Sequence, residues 1–157
     1  MPPLPFLDPA QLDFSRLVAD RAAIERVNPH RFEFALLDGV AHIDVERGQY
    51  AGFHDVRPDE FWVRGHIPGR PLFPGVLMIE TAAQLASYLY HHLFPGAGFL
   101  GFTGVDKVKF RGTVQPPCRF VVIGQAIQMK PRRMICASQG FVGSTMVFEG
   151  EITGMPV

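Results

Sequence analysis

PGVLMIETAAQLASYLYHHLF, residues 74–94, is the one long helical run in this chain of 157 residues, and its reading decides the fold. Apolar side chains (Val76, Leu77, Met78, Ile79, Ala82, Ala83, Leu85, Ala86, Leu89) fall on nearly every side of it. A helix of that kind is expected to be buried all round. Pro74 suits a first-turn position, where its missing N–H has no intrahelical partner to lose. Pro95-Gly96 then closes the segment. Such a helix needs a cover, and the flanking sequence supplies one.

Downstream, strand-like runs occupy residues 98–103, 105–111, 119–129, 133–142 and 145–153, with hairpin turns at Lys130-Pro131-Arg132-Arg133 and Gly143-Ser144. Upstream, residues 57–73 form a loop rich in proline and glycine, too special in composition to be idle. Before it, strands are expected at 32–37, 40–45 and 50–56, separated by Asp38-Gly39 and Arg47-Gly48. The periodicity predicts a short amphipathic helix over 13–27, stopped by Asn28-Pro29. Residues 1–13, with four prolines, read as an irregular arm. Strands, one greasy helix and more strands make an α+β protein, an antiparallel sheet wrapped around one long central helix. The chain divides into an arm with a short helix (1–28) and the main domain (29–157).

Composition excludes several classes. Fifteen basic residues balance fifteen acidic ones, so no global field draws nucleic acid or an anionic surface. Cys118 and Cys136, eighteen residues apart and without a CxxC partner, argue against a zinc or disulfide scaffold. No secretory leader is expected, and the long apolar run carries Glu80, Gln84 and two histidines, which argues against a membrane span. A soluble, cytoplasmic protein without nucleic-acid partners is the expectation. Histidines 30, 42, 54 and 66 are spaced by twelve, but their contexts share nothing and no repeat is inferred.

The chemistry concentrates in Gly65-His66-Ile67-Pro68-Gly69-Arg70-Pro71-Leu72-Phe73-Pro74-Gly75-Val76-Leu77-Met78-Ile79-Glu80. Glycines and prolines restrict the loop that aims the His66 ring. Fourteen residues later a carboxylate stands in the second turn of an oily helix. Burial without a cationic partner disfavours ionised glutamate, while histidine titrates near neutrality. A neutral imidazole and a protonated carboxyl in one dry site are the halves of general base and general acid catalysis. Gly75, at the helix start, offers an N–H that a substrate carbonyl can approach and that stabilises developing negative charge. Gln84, one turn after Glu80, shares its face and reads either as the group that orients Glu80 or as a core amide satisfying its own bonds. A structural His–Glu pair satisfies the same spacing.

These residues resemble the signature of the FabZ-type 3-hydroxyacyl-[acyl carrier protein] dehydratases, GHFPG-x-P-x-x-PGVL-x-x-E. Pro29-His30-Arg31-Phe32-Glu33-Phe34 and Phe102-Thr103-Gly104-Val105-Asp106-Lys107-Val108-Lys109-Phe110 resemble further family segments, and the likeness runs from about residue 29 to 153. It implies a hot-dog fold and a homodimer that often assembles into a trimer of dimers. It maps the catalytic pair onto His66 and Glu80, contributed by different subunits, and the thioester-carbonyl donor onto Gly75. Ile67, Phe73, Pro74 and Gln84 are then expected to line the substrate site. Substrates would be acyl carrier protein or CoA thioesters. No metal or organic cofactor is expected, because phosphopantetheine arrives with the substrate. Ile67 replaces the usual phenylalanine, Gly39 replaces a basic residue, and some twenty residues extend the N-terminus. A thioesterase, a dehydratase/isomerase or a non-catalytic acyl-thioester-binding module are the rivals. Arg70, Arg111, Arg119, Arg132 and Arg133 are candidates for meeting an acidic carrier, with plain solvation as the simpler reading.

Overall fold

The computed structural model describes residues 1–157. Strands β1 (Ala19–Asp20), β2 (Gly39–Asp44), β3 (Gln49–Val56), β4 (Leu100–Phe110), β5 (Cys118–Lys130), β6 (Arg133–Val142) and β7 (Thr145–Pro156) form one antiparallel sheet in the order β1-β2-β3-β5-β6-β7-β4. Helix α1 (Arg21–Glu25) is short, and α2 (Gly75–Leu93) is the central helix. This is the hot-dog arrangement. No helix is long and apolar enough to cross a membrane.

The sheet follows from its turns and alternation. Gly48 and Gly143 take the positive φ values that the tight β2–β3 and β6–β7 reversals need (65° and 58°). Alternate residues of β3, Tyr50 and Val56 among them, point at α2 and meet Phe120 and Val122 of β5 and Phe148 and Ile152 of β7. From the helix, Leu77, Leu85, Leu89 and Tyr90 complete that core, each large side chain contributing about 1.5–3 kcal/mol through burial. Tyr90 hides its ring and donates its hydroxyl to Pro131 O at 2.7 Å. The opposite phase of the strands faces outward: Phe53, Val121, Ile123 and Phe141 form a second core. Phe6, Leu7, Leu12 and Phe14 of the N-terminal arm cover it. Gln139 fastens the arm, accepting from Phe6 N at 2.9 Å and donating to Leu4 O at 3.0 Å. Arg119 lies over the Phe53 and Phe14 rings.

Several local expectations are corrected. The helix over 13–27 shrinks to α1, because Asp20 leaves β1 and caps the Ala23 N–H at 2.9 Å, starting the helix late. Residues 32–37 are not a strand. A 3-10 turn spans Phe32–Phe34, the Ala35 N–H closes it on Phe32 O, and the N–H groups of Leu36 and Leu37 bond Gln84 Oε1 instead of a neighbouring strand. The two runs at 98–103 and 105–111 are one strand, β4, with irregular register near Gly104 and Lys107. Pro74 caps α2 rather than entering its first turn. The helix is not buried all round: Val76 is 70% exposed and His92 is exposed.

Candidate active site

The loop between β3 and α2 carries His66. Its base is clamped by a buried ionic cluster: His54 Nε2 meets Glu60 Oε1 at 2.7 Å, and Nδ1 meets Asp38 Oδ2 at 3.0 Å. Asp55 N and the Arg21 guanidinium also bond Asp38, and Arg57 N bonds Glu60 Oε2 at 2.8 Å. Burial alone would lower the His54 pKa. The two carboxylates override it and raise the value to about 9, so His54 is an imidazolium between two anions at neutral pH. Phe73 stacks on His54 and packs against Trp62 and Phe120 (ring centroids 5.4 Å, 5.4 Å and 5.7 Å apart). Phe73 and Pro74, expected at the substrate site, are therefore buried supports of the loop. Their bulk reads the same in sequence whichever way it points.

His66 itself is exposed, with Ile67 beside it at 38% exposure. Its N–H donates to Trp62 O at 2.9 Å, and ring Nδ1 stands 2.9 Å from Leu72 O. A backbone carbonyl can only accept, so Nδ1 carries the hydrogen and Nε2 keeps a free lone pair. That is the tautomer a general base requires. Gly75 opens α2 with an N–H that has no acceptor within the chain. A Cβ at Gly75 would come 2.8 Å from the Phe110 ring, which is half exposed and would have to move to admit it.

Glu80 lies on the other side of α2. Its side chain, 20% exposed, opens into a cavity of about 600 Å³ that runs past Ala83, Ser87 and His91 of α2 and under Leu100, Phe102 and Ile152. Gln84 is fully buried and its amide orientation is unambiguous: Oε1 accepts from Leu36 N (3.0 Å) and Leu37 N (3.2 Å), so Nε2 is the donor. Nε2 donates to Phe34 O at 2.8 Å and to Glu80 Oε1 at 2.9 Å. Gln84 thus both satisfies the core and holds Glu80, joining the two readings that the sequence kept apart. His66, Ile67, Phe73, Pro74 and Gly75 do not line the Glu80 cavity of the same chain.

Sequence reasoning missed His30. Its Nε2 stands 3.4 Å from Glu80 Oε1, and it lines the same cavity. A histidine immediately after the Asn-Pro stop was the available signal, but local sequence does not reveal that this corner folds against α2. Two candidate docking arginines are engaged internally, Arg111 with Glu149 (2.5 Å) and Arg119 with Asp55 (2.7 Å and 3.1 Å).

Comparison with known proteins bears on this constellation. Residues 28–151 match the FabA-like domain family. A protein of Alkaliphilus metalliredigens named 3-hydroxyacyl-[acyl-carrier-protein] dehydratase FabZ is 37% identical over 83% of this chain and 88% of its own. One of the same name from Moorella thermoacetica is 36% identical over 85% and 93%. Among solved structures, the ApeI:P dehydratase heterocomplex of Xenorhabdus doucetiae superposes with a TM-score of 0.72 at 13% identity, over 85% of this chain and 90% of that one. A mutant thioesterase of Pseudomonas aeruginosa does so at 0.66 and 13%, over 90% and 98%, so these likenesses speak for the fold. From the match across residues 28–151 and the sequence identity to its relatives, the chain belongs to the FabA-like domain family, on the branch of the FabZ 3-hydroxyacyl-[acyl-carrier-protein] dehydratases.

Proposed function

We propose that this protein dehydrates 3-hydroxyacyl thioesters on acyl carrier protein to trans-2-enoyl thioesters in fatty-acid or related lipid biosynthesis, with His66 of one protomer and Glu80 of a second forming each site. The observation that carries the reading is the pair of side chains whose free atoms are set by hydrogen bonding. His66 turns Nε2 away from its Leu72 contact, and Glu80 is held by one oxygen at the mouth of the cavity along α2, leaving Oε2 free.

The reaction needs both. With the thioester carbonyl at the Gly75 N–H, His66 Nε2 removes the α-proton and the electron pair moves toward the carbonyl. It returns to form the Cα–Cβ double bond as the Cβ–O bond breaks, and the Glu80 proton joins the departing hydroxyl as water. The acyl chain occupies the cavity along α2. Phosphopantetheine comes with the substrate, and the chemistry calls for no other cofactor.

A second copy is part of the proposal. Within one chain His66 stays outside the Glu80 cavity. Strand β4 pairs on one side only, and Phe102, Val105 and Phe110 along it are 47%, 41% and 51% exposed, with Val76 nearby on α2. An apolar strip beside an open sheet edge suits another β4 from a sibling chain. A trimer of such dimers and a cytoplasmic location extend the same proposal.

Purified protein should hydrate a crotonyl thioester without releasing thiol, and Glu80→Gln should abolish turnover while the protein stays folded. Thiol release without hydration would point to a thioesterase and end the dehydratase reading.

A further inference from the structure

We propose that His30 is a positioning residue for Glu80, its Nε2–H converging with the Gln84 amide on Oε1 so that Oε2 is the oxygen presented to substrate. The proposal rests on the reading of Glu80 as the acid of the dehydration.

The corner bearing His30 is fixed to α2 before any ligand arrives. Asn28, buried, donates Nδ2–H to Gln84 O at 2.9 Å and accepts from Ser87 Oγ at 3.1 Å. The Arg31 guanidinium donates to Asn28 O and His30 O, both at 2.8 Å, and to Glu25 O at 2.7 Å. The backbone on either side of His30 is therefore braced to the helix that carries Glu80 and Gln84. Its ring Nδ1 is buried with no partner, so no second group turns the imidazole elsewhere. Burial holds its pKa below the usual histidine value against the pull of Glu80, which favours the neutral ring with a single N–H.

The groups facing this spot are few. Arg26 and His91 share the cavity, Arg31 is adjacent in the chain, and the cavity walls from β4, β6 and β7 contribute no ionisable side chain. The His91 ring is turned to backbone carbonyls, Nδ1 standing 2.9 Å from Ser87 O and Nε2 3.1 Å from Gly98 O, so that a neutral ring donates to one of them. Glu80 thus has two candidate donors, Gln84 and His30, both on Oε1. In a protonated carboxyl the carbonyl oxygen is the better acceptor, so two donors on Oε1 place the acidic hydrogen on Oε2. At 3.4 Å the His30 contact is longer than a formed hydrogen bond. Such contacts in empty sites tighten when substrate is bound.

The test uses the full chain and crotonyl-thioester hydration, with His30→Leu, His30→Gln and Glu80→Gln. His30→Leu should lower kcat about tenfold or more with KM within about twofold, since a misplaced acid slows chemistry without loosening binding. His30→Gln, whose amide can still donate to Oε1, should recover most of kcat. Wild-type kcat in His30→Leu, or equal loss in both His30 variants, would overturn the proposal. Turnover by Glu80→Gln would instead overturn the reading beneath it.

Discussion

Replacing Gln84 with leucine should cost this protein a large part of its stability, and the size follows from four hydrogen bonds. The side chain is 2% exposed, and its bonds go to Leu36 N, Leu37 N, Phe34 O and Glu80 Oε1. Leucine fills the volume and satisfies none of them. Leu36 and Leu37 are each 1% exposed, so their N–H groups gain no water in exchange. The Leu36 N–H keeps its bond to Phe34 O at 3.0 Å, so the Leu37 N–H is the one left without a partner; at about 1–3 kcal/mol for a buried group left unpaired, with weaker pairing at Leu36 and Phe34 added, the loss comes to about 2–4 kcal/mol. That is a large share of the roughly 5–15 kcal/mol that holds a typical domain together. At about 2–4 °C per kcal/mol, Tm should fall by roughly 5–15 °C. Denaturant titration gives the free energy and calorimetry the Tm. Gln84→Glu separates the roles. It keeps the two acceptor bonds but sets an oxygen against Glu80 Oε1, so activity should fall by a larger factor than stability. A Gln84→Leu protein within about 1 kcal/mol of wild type would refute this account of Gln84 as the hub joining the 32–37 segment to the acid.

The His54 cluster makes stability depend on alkaline pH. A folded pKa near 9, above the unfolded value of 6.5, means the contribution is complete below about pH 6.5 and disappears as pH rises through 9. The denaturation midpoint should decline across that window by an amount equivalent to up to about 3 kcal/mol, and a His54→Gln variant should show a flat profile there. Gly124→Ala should be severely destabilising, because its Cβ would sit 2.0 Å from Tyr50 Cζ and that ring is fully buried. A loss beyond about 3 kcal/mol in urea is expected. Gly75→Ala should behave differently: the Phe110 ring in its way is half exposed and can swing aside, so Tm should barely move while kcat for hydration drops.

Residues 74–94 announce their structure because apolar spacing, a leading proline and a closing Pro-Gly agree, and β5 to β7 are equally legible because strand alternation and turn residues agree. Residues 32–37 mislead because Phe32, Phe34 and Leu36 alternate like a strand, whereas local turn bonds and the distant Gln84 amide take their backbone elsewhere. His66 and Glu80 were readable from a loop-helix motif. The packing of Phe73 against His54 was not, since period-free loops say nothing about which way a side chain turns. His30 escaped for a related reason: its partner lies fifty residues on, joined to it by tertiary packing alone.

The arm that wraps the back of the sheet also sets limits on assembly. Phe6, Leu7, Leu12 and Phe14 already occupy the greasy outer surface, with Gln139 buttoning them down. Any sibling that tried to stack there, sheet against sheet, would first have to peel this strap away and lift Phe14 off the Arg119 guanidinium. The strap makes that surface self-sufficient, whereas Phe102, Val105 and Phe110 along the β4 rim have no such cover.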